Sequence, residues 1–276
     1  MKIRRVEGNA RPIDFVSAFY PGPNKYGDAS YLRWIRELFV ATRGAWLHFY
    51  VPTKALEHRM RGLGASETVV FHVLSEEDLP ARNLAVPWED QVLLDPERLT
   101  HQESPHLYVV WNSKVGLSAR IAAASDPETQ VFWIDAGYVR DARTREAIRR
   151  FPSRRQIRSG AQGGLHFLLV KSFTGAERRH AQEAVPDDFR GLVRLGAGMF
   201  GGRQHAWGAF DQHFSRAIEA WAESGQFVGK DQYVFAAILL RRPELATAWR
   251  VSRVWGDPWF SFPQSFGGGS PVKVSG

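Results

Sequence analysis

The run Val131-Phe132-Trp133-Ile134-Asp135-Ala136-Gly137 constrains this chain more than any other stretch. Bulky apolar and aromatic residues follow one another without a break, then stop at one carboxylate and two small residues. A run so short and so rich in large side chains reads as a strand covered on both faces, the pattern of an interior strand in an α/β sheet. Asp135 then falls at the strand's carboxyl end, where open α/β sheets bind ligands. Ala136 and Gly137 leave room for something to approach the backbone. An Asp there binds a divalent cation or hydrogen-bonds a ribose or sugar. The same residue type also caps helices and closes strand-end turns, and the local pattern leaves both readings open.

The rest of the chain alternates strand and helix patterns. Ile13 to Tyr20 reads as the first strand, ended by Pro21-Gly22-Pro23-Asn24. Asp28 is placed as the N-cap of a helix that carries Tyr31, Leu32, Ile35, Leu38, Phe39 and Thr42 at helical spacing, with Gly44 at its end. Trp46–Val51 and Thr68–Val73 are further strands. Residues 75–105 read as a loop crossing the cleft or, for most of their length, as a solvated connection, with Pro96 at the first position of a short helix. Tyr108-Val109-Val110-Trp111 leads into Asn112-Ser113-Lys114, from which a helix runs to about Ser125. Lys114 in the first turn of that helix opposes the dipole, which is tolerable where it meets an anion; a Lys turned to solvent is the alternative. Asp141 caps a helix from Ala142 to Arg150, and Leu165–Val170 and Gly191–Leu195 read as strands. Together these predict one α/β domain over residues 1–276, with a mainly parallel central sheet flanked by helices and a flexible tail over 266–276.

Three later features bear on a site. Gly196, Gly198, Gly201 and Gly202 crowd a short stretch, which argues against a helix or a well-packed strand and for tight turns or backbone lying against a ligand. Asp231 reads as a helix N-cap or as a carboxylate that receives a sugar hydroxyl. Trp255-Gly256-Asp257-Pro258-Trp259-Phe260 could fold its aromatics back over a cleft. Arg140 is close enough to Asp135 to share a site, holding a phosphate or pairing with Asp135 or Asp141.

Composition removes several classes. The absence of Cys rules out disulfides, thiolate metal sites and a Cys nucleophile, and suits a reducing compartment. No GxGxxG and no P-loop occurs, so dinucleotide and P-loop nucleotide binding are unsupported. There is neither an apolar run long enough to span a membrane nor an apolar h-region after Met1-Lys2-Ile3-Arg4-Arg5, and a cytoplasmic location is expected. The net charge of +7 rests mainly on Arg, whose fork suits phosphates and carboxylates, and it allows peripheral contact with an anionic membrane. The basic residues are scattered and no nucleic-acid module is present, so nucleic acid is not an expected partner.

Four stretches carry a resemblance to a known family. They are Ser17-Ala18-Phe19-Tyr20 with Tyr31-Leu32-x-Trp34, the Trp111-Asn112-Ser113-Lys114 turn, Phe132 to Gly137 with Arg140, and Gly198-Met199-Phe200-Gly201-Gly202 followed by Asp231-Gln232. In order and spacing the chain resembles the HtrL/YibB family of bacterial proteins with a GT-A-like, Rossmann-like glycosyltransferase fold. The resemblance implies a glycosyltransferase of hexosyl type that moves a sugar from a nucleotide diphosphate donor, a UDP-sugar by expectation, to a glycan, lipid-linked or other hydroxyl acceptor in bacterial surface polysaccharide synthesis. It implies donor contacts from Ala18, Phe19, Tyr20, Lys114, Asp135, Gly137, Arg140, Gly201, Gly202 and Gln232, and catalytic roles for Asp135 and Asp231. Asp231 would activate the acceptor or bind the donor sugar. Such folds hold Mn²⁺ or Mg²⁺ on an Asp-x-Asp; here Asp135 stands first and Gly137 replaces the second Asp. Asp141, Asp231 or His205 could complete a metal set around Asp135, or Lys114 and Arg140 could neutralise the diphosphate without metal. A non-catalytic nucleotide- or sugar-binding protein of the same fold is the alternative.

Overall fold

The computed structural model describes residues 13–23, 26–159, 163–250, 257–267 and 271–272. In chain order the elements are β1 (Ile13–Ala18), α1 (Asp28–Ala41), β2 (Trp46–Val51), α2 (Lys54–Arg61), β3 (Val69–Val73), α3 (Trp88–Leu94), α4 (Pro105–Ala124), β4 (Gln130–Ile134), α5 (Ala142–Arg149), α6 (Arg154–Ser159), β5 (Leu165–Leu169), α7 (Gly175–Arg179), β6 (Leu195–Arg203), α8 (Gln204–Glu223), α9 (Asp231–Arg241), β7 (Ala246–Arg250), α10 (Phe262–Ser265) and β8 (Pro271–Val272). The strands form one eight-stranded sheet in the order β3-β2-β1-β4-β6-β5-β7-β8. Strands β1, β2, β3 and β4 pair in parallel, as do β5 and β7, while β6 and β8 run the other way. The predicted α/β architecture with a mainly parallel sheet is therefore present, with the antiparallel β6 set into its middle.

Alternation along the strands sorts the core. Val131 and Trp133 of β4 face one apolar layer, built with α4, α8 and α9, whereas Phe132 and Ile134 face the other, built with α1, α5 and α10. Strand β1 divides the same way, Val16 and Ala18 to the first layer and Phe15 to the second. Asp135 continues the Val131, Trp133 face. That places its carboxylate on the side where α4 packs.

Several sequence expectations are corrected. Tyr108–Trp111 is not a lead-in to a helix but part of α4, which starts at Pro105. The β-prone residues are overruled because Tyr108, Trp111 and Val115 fall at helical spacing against neighbours, and Pro fits a first helical turn. Lys114 is consequently mid-helix and buried, neither in a first turn nor in solvent. Pro96 opens no helix; residues 96–103 are turns after α3. The segment 191–194 lies before the strand and not in it, and the glycine-rich stretch is the strand β6, which starts at Leu195. Asp28 and Asp231 are the first residues of α1 and α9, with Gly27 and Lys230 at the cap positions, whereas Asp141 does cap α5 by accepting from the Thr144 N–H at 2.7 Å. The tail is not uniformly free, since Pro271 and Val272 pair with Trp249 and Ala248 of β7. Residues 268–270 and 273–276 lie outside the described residues, as do Trp255 and Gly256. Among the described residues no helix is long and apolar enough to cross a membrane.

Candidate functional site

Strands β1 and β4 are neighbours in parallel, with Val16 opposite Trp133, so Ala18-Phe19-Tyr20 and Asp135-Ala136-Gly137 emerge side by side at the carboxyl edge. Strand β6 runs the opposite way and brings its first residues to the same edge, where the Asp135 N–H donates to the Gly198 carbonyl at 2.8 Å. A cleft of two chambers opens there. The first, about 750 Å³ including its open mouth, is lined by Ala18, Phe19, Tyr20, Tyr31, Gly137 and Arg140, among others. The second, about 1000 Å³ on the same measure, is lined by Glu97, His101, Gly198, Lys230, Asp231 and Gln232, with Trp259 at its edge. Trp111, Lys114 and Asp135 border both.

The partition is an ion cluster. The Lys114 Nζ lies 3.2 Å from Asp135 Oδ1 and 2.9 Å from Asp231 Oδ2, and it donates to the Ala197 carbonyl at 3.4 Å. Only 5% of the Lys114 side chain and 4% of Asp231 reach solvent, against 39% for Asp135. Burial alone would lower the Lys114 pKa, but the attraction of Asp135 and Asp231 and their hydrogen bonds outweigh it and hold its pKa above the ordinary Lys value. Burial likewise pushes the Asp231 carboxyl up, opposed by the Lys114 charge. The Trp133 Nε1–H donates to Asp135 Oδ1 at 2.7 Å and fixes that carboxylate. Asn112 positions Asp231: its side-chain N–H groups reach the carbonyls of Val228 and Gly229, at 3.2 and 3.0 Å, and so clamp α4 to the turn that leads into α9.

Rings enclose Arg140. Its guanidinium carbon lies 4.7, 4.5 and 4.6 Å from the ring centres of Tyr26, Trp34 and Phe260, and its Nε donates to the Gly137 carbonyl at 3.0 Å. It pairs with neither Asp135 nor Asp141 in any ion pair among the described residues, and it stays exposed at the mouth of the first chamber. Gly137 fits between rings: a Cβ there would stand 3.2 Å from both Trp34 and Tyr31. Phe19 and Tyr31 stack at 5.7 Å beside it.

Of the predicted site residues, Ala18, Phe19, Tyr20, Lys114, Asp135, Gly137 and Arg140 meet in the first chamber, and the catalytic candidate Asp231 and the donor candidate Gln232 in the second, where the Gln232 side chain also donates to the Leu195 carbonyl at 2.9 Å. Gly201 and Gly202 are elsewhere. A Cβ on Gly201 would sit 2.2 Å from the Val131 carbonyl oxygen, and one on Gly202 2.8 Å from that of Gly164, so these glycines accommodate neighbouring strands and not a ligand. The glycine that borders the cavity is Gly198. The tail does fold back as expected, Phe260 onto the first chamber and Trp259 onto the second. Glu97 and His101 escape the sequence reading because most of the segment after α3 reads as solvent-facing, the acid-rich stretch Asp95-Pro96-Glu97 followed by His101 being the available signal, and Lys230 escapes it as the residue before α9, where only Asp231 and Gln232 stand out.

The donor set does not fit a protein-held divalent cation. Hard cations want several oxygen ligands, yet among the described residues no three His, Asp or Glu side chains converge. An ammonium already bridges the two carboxylates at the partition. Asp141 is committed to its cap, and His205 is exposed on α8 outside both chambers.

No protein-family model and no curated protein matches the sequence. Among solved structures the chain is similar to mouse Xyloside xylosyltransferase 1 in its apo form, at 15% identity and a TM-score of 0.45, over 92% of this chain and 93% of that one.

Proposed function

We propose that the protein is a nucleotide-sugar-dependent glycosyltransferase that transfers a sugar, a hexose in the simplest case, from a nucleoside diphosphate to a hydroxyl of a glycan or lipid-linked acceptor. A role in bacterial surface polysaccharide assembly follows the sequence resemblance. The observation that carries this reading is the pair of chambers that meet at Lys114 and Asp135 on the carboxyl edge of the sheet. The first chamber offers aromatic walls for a nucleoside and the Arg140 fork for a diphosphate. The second offers carboxylate and amide groups suited to sugar hydroxyls.

In this reading Arg140 and Lys114 supply the positive charge that stabilises the departing diphosphate, in place of a metal. Asp135 anchors Lys114 and directs the donor sugar, and Asp231 binds a sugar hydroxyl from the second chamber. Asp135→Asn keeps the acceptor of the Trp133 N–H but loses the charge, so it should fold normally and lose transfer.

The test is a binding screen of UDP-glucose, UDP-galactose, UDP-N-acetylglucosamine and UDP-xylose by calorimetry, followed by UDP release with a panel of glycoside acceptors, with and without EDTA. Binding and turnover that survive EDTA support the proposal in full. Turnover abolished by EDTA and restored by Mn²⁺ overturns the metal-free part. Binding without turnover favours a non-catalytic nucleotide-sugar-binding protein, a reading supported by the way Lys114 already pairs with both carboxylates. No binding at all defeats both.

A further inference from the structure

The connection between α3 and α4 carries chemistry that the transferase reading above does not use. Asp95 is 2% exposed and accepts three hydrogen bonds, from the Tyr108 hydroxyl at 2.7 Å, the Glu97 N–H at 2.8 Å and the His101 ring, whose Nδ1 lies 2.5 Å from Oδ2. Burial works against ionisation of Asp95, but these hydrogen bonds outweigh it and hold the carboxyl below its ordinary value. A carboxylate can only accept, so the imidazole must donate through Nδ1, and in the neutral ring the lone pair is then on Nε2. His101 lines the second chamber, across the Lys114–Asp135 partition from the Arg140 fork. The edge contact with Trp111, at 5.0 Å, fixes the ring plane. The two residues that follow, Gln102 and Glu103, hold φ of 57° and 50°, a left-handed conformation that side-chain-bearing residues seldom adopt away from functional sites.

We infer that His101 is the general base that activates the acceptor hydroxyl, with Asp95 as its positioning residue. The assignment rests on the transferase reading and adds to it the group that moves the proton. As the acceptor oxygen bonds to the anomeric carbon of the donor sugar, Nε2 takes the hydroxyl proton. The bond from the anomeric carbon to the diphosphate oxygen breaks, and its electron pair leaves on the nucleoside diphosphate. The imidazolium, stabilised by Asp95, then releases its proton to water. Asp231, clamped to Lys114, is not required as the base. The charged and titratable groups around His101 are Asp95 and Glu97 from its own connection, Tyr108 and Lys114 from α4, and Tyr26, Asp135, Lys230 and Asp231 around the chamber.

The experiment uses the full chain, the UDP-sugar that binds best in the screen above and the glycoside acceptor with the highest turnover. For wild type, His101→Gln and Asp95→Asn it measures donor Kd by calorimetry, and kcat and KM against pH. His101→Gln is expected to keep donor Kd within about twofold while kcat falls about 100-fold or more, within the usual range for a lost general base, and the acidic limb of the kcat profile disappears. Asp95→Asn should displace that limb without removing it. A His101→Gln variant with wild-type kcat, or one whose kcat loss is matched by loss of donor binding, overturns the assignment alone. A wild-type chain that binds no nucleotide sugar overturns it together with the reading it rests on. Independently of how either variant folds, the imidazole nitrogen shifts of the wild-type protein should report the Nδ1–H tautomer for His101; the Nε2–H tautomer overturns the dyad.

Discussion

The Lys114 ammonium and the Asp231 carboxylate lie 2.9 Å apart, one projecting from the interior of α4 and the other from the first residue of α9, and neither side chain has more than 5% of its surface in solvent. Deleting one partner of such a pair strands the other charge, at a cost of about 3–5 kcal/mol, while replacing both with apolar groups is often close to neutral. Lys114→Met strands the buried Asp231 and should lower the urea midpoint strongly, whereas Asp231→Asn leaves Lys114 paired with Asp135 and should lower it less. The double variant Lys114→Met, Asp231→Leu should recover much of the loss, because the remaining Asp135 is already partly solvated. Single variants with wild-type midpoints would remove the pair from any structural role. The folded pKa of Lys114 is raised, so its stabilisation is complete below the ordinary Lys value of 10.5 and is lost only as pH rises through the folded value. The contribution of Lys114 should therefore be flat through neutral pH and fade in the alkaline range.

Arg140 is held by three rings, the Gly137 carbonyl and the Tyr26 hydroxyl, to which its Nη1 donates at 3.3 Å, leaving part of its fork for a ligand. A hydrogen bond to a charged group is worth about 1.5–3 kcal/mol, so Arg140→Lys, which keeps the charge but loses the fork and the ring stacking, should weaken UDP-sugar binding about tenfold or more. The thermal midpoint should stay close to wild type, since the side chain is exposed. Unchanged donor affinity by calorimetry would take Arg140 out of the diphosphate site.

What was legible in the sequence, and what was not, follows from how local each signal is. The strand ending at Asp135 could be read because an unbroken apolar run is dictated by burial on both faces of a single element. Its partners could be read in part: Ala18 to Tyr20 and Gly137 to Arg140 lie at strand ends, which the pattern locates. The position of Lys114 within its helix could not be read, because Tyr108 to Trp111 carry strand propensity and only packing against neighbouring elements makes them helical. The connection holding Asp95 and His101 looked solvated for the same reason, since its polar residues are buried by contacts with α4 that no local pattern encodes.

The glycines of β6 show the same limit and give a test. Read singly they suggest backbone against a ligand, yet they divide by neighbour. A Cβ on Gly201 would meet the backbone of β4 at 2.2 and 2.6 Å, which no side-chain motion relieves, whereas one on Gly198 would press on the Tyr138 ring at 3.1 Å and stand 3.5 Å from Asp135 Oδ2. Gly201→Ala should cost at least the about 1–3 kcal/mol typical of overpacking, seen as a large drop in thermal midpoint. Gly198→Ala should shift the midpoint little and act on ligand binding in the second chamber. The reverse ranking would mean that Gly201 faces a cavity after all.

A second prediction about pH comes from outside the cleft. His48 of β2 and His72 of β3 face each other with Nδ1 and Nε2 3.0 Å apart, and His48 is fully buried. Burial first, and the neighbouring His72 second, hold the His48 pKa down at about 3, while burial also lowers His72. A histidine with a depressed folded pKa stays neutral in the folded chain while the unfolded chain takes up a proton below about 6.5. The unfolded state then binds more protons, so stability falls as pH drops, by about 1.4 kcal/mol per pH unit for one proton. The window runs from the ordinary His value of 6.5 down to about 3 for His48. Replacing His48 with Gln removes the titrating group while keeping a polar partner for His72. Urea unfolding of wild type and His48→Gln at a series of pH values should give a shallower acid slope for the variant, by about one proton's worth. Parallel slopes in the two proteins would show that the pair does not set the acid limit of this fold.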